Sequence, residues 1–404
     1  MNFIKKEIKP KILAIVDIGT YKVRVGICKI INRDVELVGY GEKRQDENYI
    51  IMQEIKDLKG ISENISQAIS KAELDGNIKV EDIIINLPTE NLFFEFSKIN
   101  HIRENTKKQI DDNELYEIIS IIEKLALKKH YKNIKENYGY KKSDLKLLIS
   151  NISNILLDKV ESKKIINTNP KEINISLLNI FIPEAKYEIV HYLSKSLGKN
   201  ILNIVPSEFA ITGLFKKIKN IVIIDLGNSH TSIIVKKNGQ IKGAKKISFG
   251  INDLIKQIRK NYNLTKNDII SKIEQDIFPN EKIVFLEIFK DILTITLEEI
   301  LDKDICPHHF FMAGGGSNMF IKNYLQNINL NTNSLKIVGK IKYINPQIDF
   351  IDDKIINNPE WINTAKSNIN IFAMIKITLD FIKKDKTKIE KTLKKVISDL
   401  NKNT

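Results

Sequence analysis

The sequence predicts an α/β protein of two like-built lobes, each a mixed sheet flanked by helices, with a subdomain inserted in the first. Three observations carry that expectation. In "KILAIVDIGTYKVRVGICKI" (Lys11–Ile30) an apolar run ends on Asp17, turns at once through Gly19-Thr20, and resumes as a second strand. The layout returns in "IVIIDLGNSHTSIIVKKNGQIKGAKKISFG", with Asp225 corresponding to Asp17 and Gly227 to Gly19. Between the copies the texture turns more charged, which reads as an insertion.

Taken in order, "ILAIVDIG", "KVRVGICKI" and "DVELVGYGEK" form a strand meander, the last strand following the polar corner Asn32-Arg33-Asp34. Ile61, Ile65, Ala68, Ile69 and Ala72 fall at helical spacing, and "EDIIINLP" returns to a buried strand. The insertion holds a helix over Asp111–Lys129 and a Lys- and Tyr-rich loop over Tyr131–Lys142. "INISLLNIFIP", a helix over Glu184–Leu197 and "NILNIVPSEFAITGLF" then resume the α/β rhythm. The expected organisation is a first lobe over 11–86 and 170–217, with 361–382 returning to it, and an inserted subdomain over 87–169. A second lobe covers 218–360, including a short outer part near 251–290, and a tail covers 383–404.

Composition bounds the reading. A chain of 404 residues exceeds what one compact core organises. The net charge of +14 is spread through a chain rich in Lys, Asn and Ile, with acidic residues interleaved, so no nucleic-acid partner is expected. Cys28 and Cys306 stand far apart with no CxxC partner, which excludes a disulfide framework and a thiolate metal site. No run reaches the ~18 apolar residues of a spanning helix. The basic start Met1–Lys11 lacks the h-region of a signal peptide because Asp17 interrupts the apolar stretch.

The chemistry sits at the turns. A hairpin tip holding glycine exposes backbone N–H groups to phosphate oxygens, since glycine accepts φ > 0 and has no Cβ. Thr20, Ser229 and Thr231 add hydroxyls and Lys22 a positive charge, while His230 reads either as a phosphate contact or as a polar tip residue. Asp17 and Asp225 cannot bind phosphate directly and are expected to order Mg²⁺ through its waters. In "FFMAGGGSNMFIKNYL" the triplet Gly314-Gly315-Gly316 and Ser317 link a strand to a helix N-terminus, a site that favours anions. Neither GxxxxGK[ST] nor GxGxxG occurs. His308-His309 and the Lys128–Lys142 stretch read as surface.

Two Asp-Gly turns with a Gly-rich strand–helix turn resemble the actin-like (ribonuclease H-like) ATPase fold. Within it the sequence resembles the bacterial division family FtsA, over most of Ile12–Thr378. "AIVDIGTYKV" is similar to that family's Asp-Ile-Gly-Thr-x-Lys, and "VEDIIINLPTENLFFE" to the part preceding its inserted subdomain. "IINTNPKEI" resembles the Asn-Pro element after the insertion, and "MAGGGSNM" the adenosine motif. The resemblance implies ATP and Mg²⁺ between the lobes, held by Gly19, Thr20, Tyr21, Lys22, Gly227, Asn228, Ser229, His230, Gly250, Gly314, Gly315, Gly316 and Ser317, with Asp17 and Asp225 toward the metal. It implies self-association into protofilaments, a C-terminal helix on anionic lipids of the inner membrane, and the FtsZ C-terminal tail and later division proteins as partners. The location it implies is cytoplasmic, peripheral on the inner membrane face at the division site.

The second turn departs from the family pattern. Asn228, Ser229 and His230 replace expected small residues and Ser232 stands where a second Asp belongs, so ATP binding with weak or absent hydrolysis is expected. Glu208 is the candidate for orienting a water, or else it lines the interdomain hinge. In the tail, Ile389, Leu393, Val396, Ile397 and Leu400 share one helical face with lysines nearby, which suits an interfacial helix or a coiled tail. Two other readings of the fold stay open: a PilM-like pilus adaptor, and a small-molecule kinase suggested by Arg24 after Asp17-Ile-Gly-Thr.

Overall fold

The computed structural model describes residues 10–31, 34–51, 54–88, 91–215, 217–275, 277–317, 319–344, 368–384 and 387–402. The basic start, Asn32 and Arg33 of the corner, and 361–367 of the returning segment lie outside the described residues. The chain divides into two compact units, 1–90 with 191–377 and 91–190 with 378–404.

The first unit opens with the meander β1 (Lys11–Ile18), β2 (Lys22–Ile31) and β3 (Asp34–Arg44), antiparallel throughout. A small hairpin, β4 (Ile50–Ile51) and β5 (Glu54–Ile55), leads to α1 (Leu58–Asp75). Asp57 caps α1 by accepting from the Gly60 N–H at 2.9 Å, and Ile61, Ile65, Ala68, Ile69 and Ala72 form its buried side. β6 (Asp82–Ile85) then pairs parallel to β1.

The second unit begins with β7 (Phe93–Ile102) and α2 (Asp112–Tyr138). The helix runs past the expected end at Lys129 and takes in most of the predicted loop, because His130 and Ile134 continue the buried face of Ala126 at helical spacing. It stops at Gly139, whose φ of +79° is the left-handed C-cap conformation. β8 (Leu145–Leu157), β9 (Val160–Glu161) and β10 (Glu172–Pro183) complete an antiparallel sheet in the order β7-β10-β8-β9.

After α3 (Glu184–Leu197), β11 (Asn200–Ile204) pairs parallel to β6, and α4 (Ser207–Thr212) follows. The second copy is β12 (Ile221–Leu226), β13 (Thr231–Lys237) and β14 (Gln240–Ile247), then α5 (Ile251–Asn261), α6 (Lys266–Lys272) and α7 (Pro279–Leu301). β15 (His309–Ala313), α8 (Met319–Asn327), β16 (Lys342–Tyr343) and α9 (Ile369–Lys384) end it. Its sheet, β14-β13-β12-β15-β16, repeats β3-β2-β1-β6-β11 strand for strand: three antiparallel strands, then two parallel ones. Register repeats too, with Asp17 opposite Arg24 and Asp225 opposite Ser232.

The last helix, α10 (Lys388–Lys402), corrects an expectation. Its apolar face is not offered to lipid: Ile389, Leu393 and Val396 join Ile118, Ile122 and Ile175 in the core of the second unit, with Ile397 and Leu400 packed against it. Lys388 pairs with Asp112 at 2.8 Å and the Tyr116 hydroxyl donates to Asp399 at 2.8 Å, so polar links flank the apolar seam. Among the described residues no helix is long and apolar enough to cross a membrane. Leu393→Ala is expected to cost the second unit about 2–5 kcal/mol, while Lys391→Ala stays within about 0.5 kcal/mol; urea unfolding of both variants checks the difference.

Candidate functional site

The two glycine tips are built alike. The Gly19 N–H donates to the Lys22 carbonyl at 3.0 Å, and the Gly227 N–H to the His230 carbonyl at 2.8 Å. Neither glycine has a positive φ, contrary to the sequence argument. They are glycines because the hairpins are tight: a Cβ would stand 2.9 Å from the Lys22 oxygen at Gly19 and 3.0 Å from the His230 oxygen at Gly227. Both tips face one cleft of about 270 Å³, with Asp17, Thr20, Tyr21, Lys22, Asp225, Asn228, His230, Gly314 and Gly315 also in its lining.

The third wall comes from the turn after β15. Gly314 has φ of +88°, and a Cβ there would lie 2.2 Å from the Leu226 oxygen and 2.5 Å from Asp225 Oδ1. Only glycine lets this turn rest against the end of β12. The next two glycines differ: Gly315 is exposed to the cleft, while Gly316 is buried and donates its N–H to the Leu226 carbonyl at 2.9 Å.

Buried charge dominates the floor. Asp17 Oδ1 accepts from Asn86 Nδ2 at 2.6 Å, and Arg24 lies 3.5 Å from Oδ2. Burial raises the Asp17 carboxyl above its ordinary range, against the pull of Arg24 and Asn86. Asp225 accepts from Asn370 Nδ2 at 3.3 Å, and burial followed by the Glu208 charge pushes it up to about 6. For Glu208 burial acts upward too, but the Lys246 ammonium 2.6 Å away prevails and holds it at about 2. Burial and Lys246 together lower His230 to about 3, so it is a neutral imidazole. Three buried carboxyl groups, Asp17, Asp225 and, behind the lining, Glu208, thus share two cations, Arg24 and Lys246, since Lys22 is engaged by Glu42 at 2.5 Å; Glu274 adds a further carboxyl to the cleft wall.

Several expected contacts fall elsewhere. The Thr231 hydroxyl donates to the Phe249 carbonyl at 2.6 Å, and the Ser317 hydroxyl to the Gly314 carbonyl at 2.8 Å. Gly250 is no part of the cleft lining; a Cβ there would meet the Asn228 carbonyl at 2.6 Å, where the tip packs on the start of α5. Ser229 and Gly316 also lie outside the lining. Glu208 accepts from the Ser232 hydroxyl at 3.0 Å as well as from Lys246, so its carboxylate is engaged by protein groups rather than poised over a water. At the cleft mouth Tyr21 lies under Arg44 and Lys266, 5.1 and 5.2 Å from its ring centre, and Lys266 pairs with Glu47 at 2.8 Å.

Sequence reading missed Asn86, Lys246 and Asn370. Asn86 carried a signal: the polar residue ending the apolar run of β6 stands beside Asp17 once β6 is paired parallel to β1. Lys246 and Asn370 are distant in sequence from Glu208 and Asp225 and carried none.

Neither a protein-family model nor a curated protein matches the sequence. Solved structures do. A chain of the PilM–PilN type IV pilus biogenesis complex superposes with a TM-score of 0.61 at 11% identity, over 91% of this chain and 98% of that one. The ethanolamine utilization protein EutJ from Carboxydothermus hydrogenoformans gives 0.43 at 10% identity, over 82% of this chain and 85% of that one. An actin-like ATPase-fold protein from Bacteroides thetaiotaomicron gives 0.38 at 11% identity, over 93% and 98%. The chain has the actin-like ATPase fold.

The charge pattern sets a pH dependence. Asp225 holds its proton to about 6 in the folded state against 3.8 ordinarily, so its contribution to stability is full below about 4 and is lost as pH rises through about 6. Asp225→Asn is therefore expected to stabilise the protein by about 2–3 kcal/mol at pH 8, the gain shrinking between about pH 6 and pH 4. Thermal unfolding across pH 4–8 reads this directly.

Proposed function

We propose that this chain is a nucleotide- and Mg²⁺-binding adaptor of the actin-like fold that docks a partner protein at a membrane-linked assembly, on the pattern of the PilM–PilN complex. The observation that carries the nucleotide reading is the convergence of two hairpin tips and Gly314 on one cleft floored by Asp17 and Asp225. The residues suit the group. The tips and Gly315 would take phosphate oxygens, and the surplus of carboxyl over cationic groups calls for a divalent cation before a polyphosphate can approach. Bound Mg²⁺ supplies charge neutralisation; Asp17 and Asp225 would hold its waters.

The cleft volume of about 270 Å³ is below the ~300–1,000 Å³ of small-molecule sites. Nucleotide entry therefore goes with opening at the α6 side. The links there, Lys266 to Glu47 and Arg44 to Asn267 at 3.1 Å, are polar pairs worth about 1 kcal/mol or less each. Hydrolysis is expected to be weak: Glu208 Oε1 is taken by Lys246 and Ser232, and the Lys246 ammonium holds the carboxyl at about 2, which makes it a poor base for a water.

The division-scaffold reading, with the FtsZ tail and protofilaments among its parts, rested on the doubled turns and the inserted subdomain, and its lipid-bound tail alone needs a free amphipathic helix. The burial of that helix face against α2 counts against the lipid-bound tail, and the likeness along nearly the whole PilM chain favours the pilus-type adaptor. Titration calorimetry is expected to give Mg-ATP binding that EDTA abolishes and that Gly19→Glu weakens at least tenfold; no Mg-ATP affinity in the intact chain overturns the reading. Pilus genes rather than division genes beside its own would separate the two adaptor classes.

A further inference from the structure

A second concavity, of about 820 Å³, lies in the first unit at the opposite ends of the strands that lead to the cleft. β12 and β15 reach the nucleotide side at Leu226 and Ala313, whereas this hollow gathers around the residues that precede them, Asn220 and His308. Its lining carries the ammonium groups of Lys217, Lys219 and Lys237 and two imidazoles, His308 and His309, the latter lowered below its ordinary range by burial and by His308. Lys237 is paired with Asp304 at 2.6 Å, but Lys217 and Lys219 have no ion-pair partner among the described residues. The two imidazoles stack with ring centres 4.2 Å apart.

The walls are fixed by backbone bonds. The Gly239 N–H donates to the Lys219 carbonyl at 2.8 Å and the Asn238 N–H to Asn220 Oδ1 at 2.8 Å, tying the lysine segment to the tight β13–β14 turn. On the other side Cys306 bridges to Ile337 and the Lys342 N–H donates to the His308 carbonyl at 2.8 Å. Beside these basic groups stand Ile305 and Val338, exposed by 53% and 68%. A preorganised hollow that joins unpaired ammonium groups to bare aliphatic side chains is complementary to carboxylates flanking an apolar residue.

The geometry points to a docking site for an acidic segment of a partner protein, in which two or more carboxylates meet Lys217, Lys219 and the histidine pair while an apolar side chain covers Ile305 and Val338. A nucleic acid fits less well, because among the described residues no Phe, Tyr or Trp lines the hollow for base stacking. A bilayer surface fits less well too, being flat where this surface is concave. The inference stands apart from the nucleotide reading and does not depend on it.

The test uses the full chain and a fluorescein-labelled ten-residue peptide carrying four glutamates around a central leucine, followed by anisotropy. Binding is expected, several-fold weaker at 200 mM than at 50 mM salt, and at least tenfold weaker with Lys217→Glu/Lys219→Glu. Ile305→Ser is expected to weaken it several-fold with the salt dependence unchanged. The charge-matched control Lys124→Glu/Lys128→Glu on α2 should bind as the parent does, with thermal unfolding reporting that each variant is folded. Equal loss in the control and the lysine pair, equal binding of a glutamine version of the peptide, or sedimentation with phosphatidylserine vesicles in place of peptide binding overturns the proposal.

Discussion

The surplus of buried negative charge at the cleft floor is the constraint that orders the rest of the first unit. Asp17, Asp225 and Glu208 are removed from water and share Arg24 and Lys246 between them. An unpaired buried carboxylate is costly, so each must find a donor or keep its proton. Asn86, Asn370 and Ser232 supply donors, and Asp225 takes the other course and titrates late. The apolar strands β1 and β12 hold two of these groups in place, each aspartate standing near the end of a fully buried run. A site poised this way is short of one positive charge.

The second unit answers a different requirement. α10 is short and amphipathic, and such a helix is only marginally stable in water without a surface for its apolar side. Its own chain provides one in α2 and the sheet beneath, at an effective concentration that a lipid surface must compete with. Burying Leu393 and Val396 is worth roughly 1.5–3 kcal/mol each. The lysines of α10 then serve the water-facing side, with Lys395 also resting 5.1 Å over the Tyr116 ring.

What was legible along the chain was what repeats locally. The strand–Asp–Gly–strand pattern is written in consecutive residues, and alternation, turn chemistry and spacing were enough to read both copies, the α/β class and the pairing of Asp17 with Asp225. The same local signals misjudged groups whose role is set by what lies across from them. Thr231, Gly250 and Ser317 look like phosphate ligands in sequence, yet in the fold they close a carbonyl, a tip-to-helix contact and a turn. α2 overran its expected end because His130 and Ile134 carry on the spacing of Ala126, and Ile134 packs with Phe93, Leu145 and Phe181.

By itself, then, the sequence determined a duplicated two-lobe α/β chain with paired carboxyl-bearing turns, because hydrophobic period and glycine placement act over a few residues. Tertiary structure alone decided that Lys246 neutralises Glu208, that Asn370 supports Asp225 and that the amphipathic tail is covered. Those outcomes depend on which desolvated groups end within about 3 Å of each other, and no pattern along the chain encodes a distance through space.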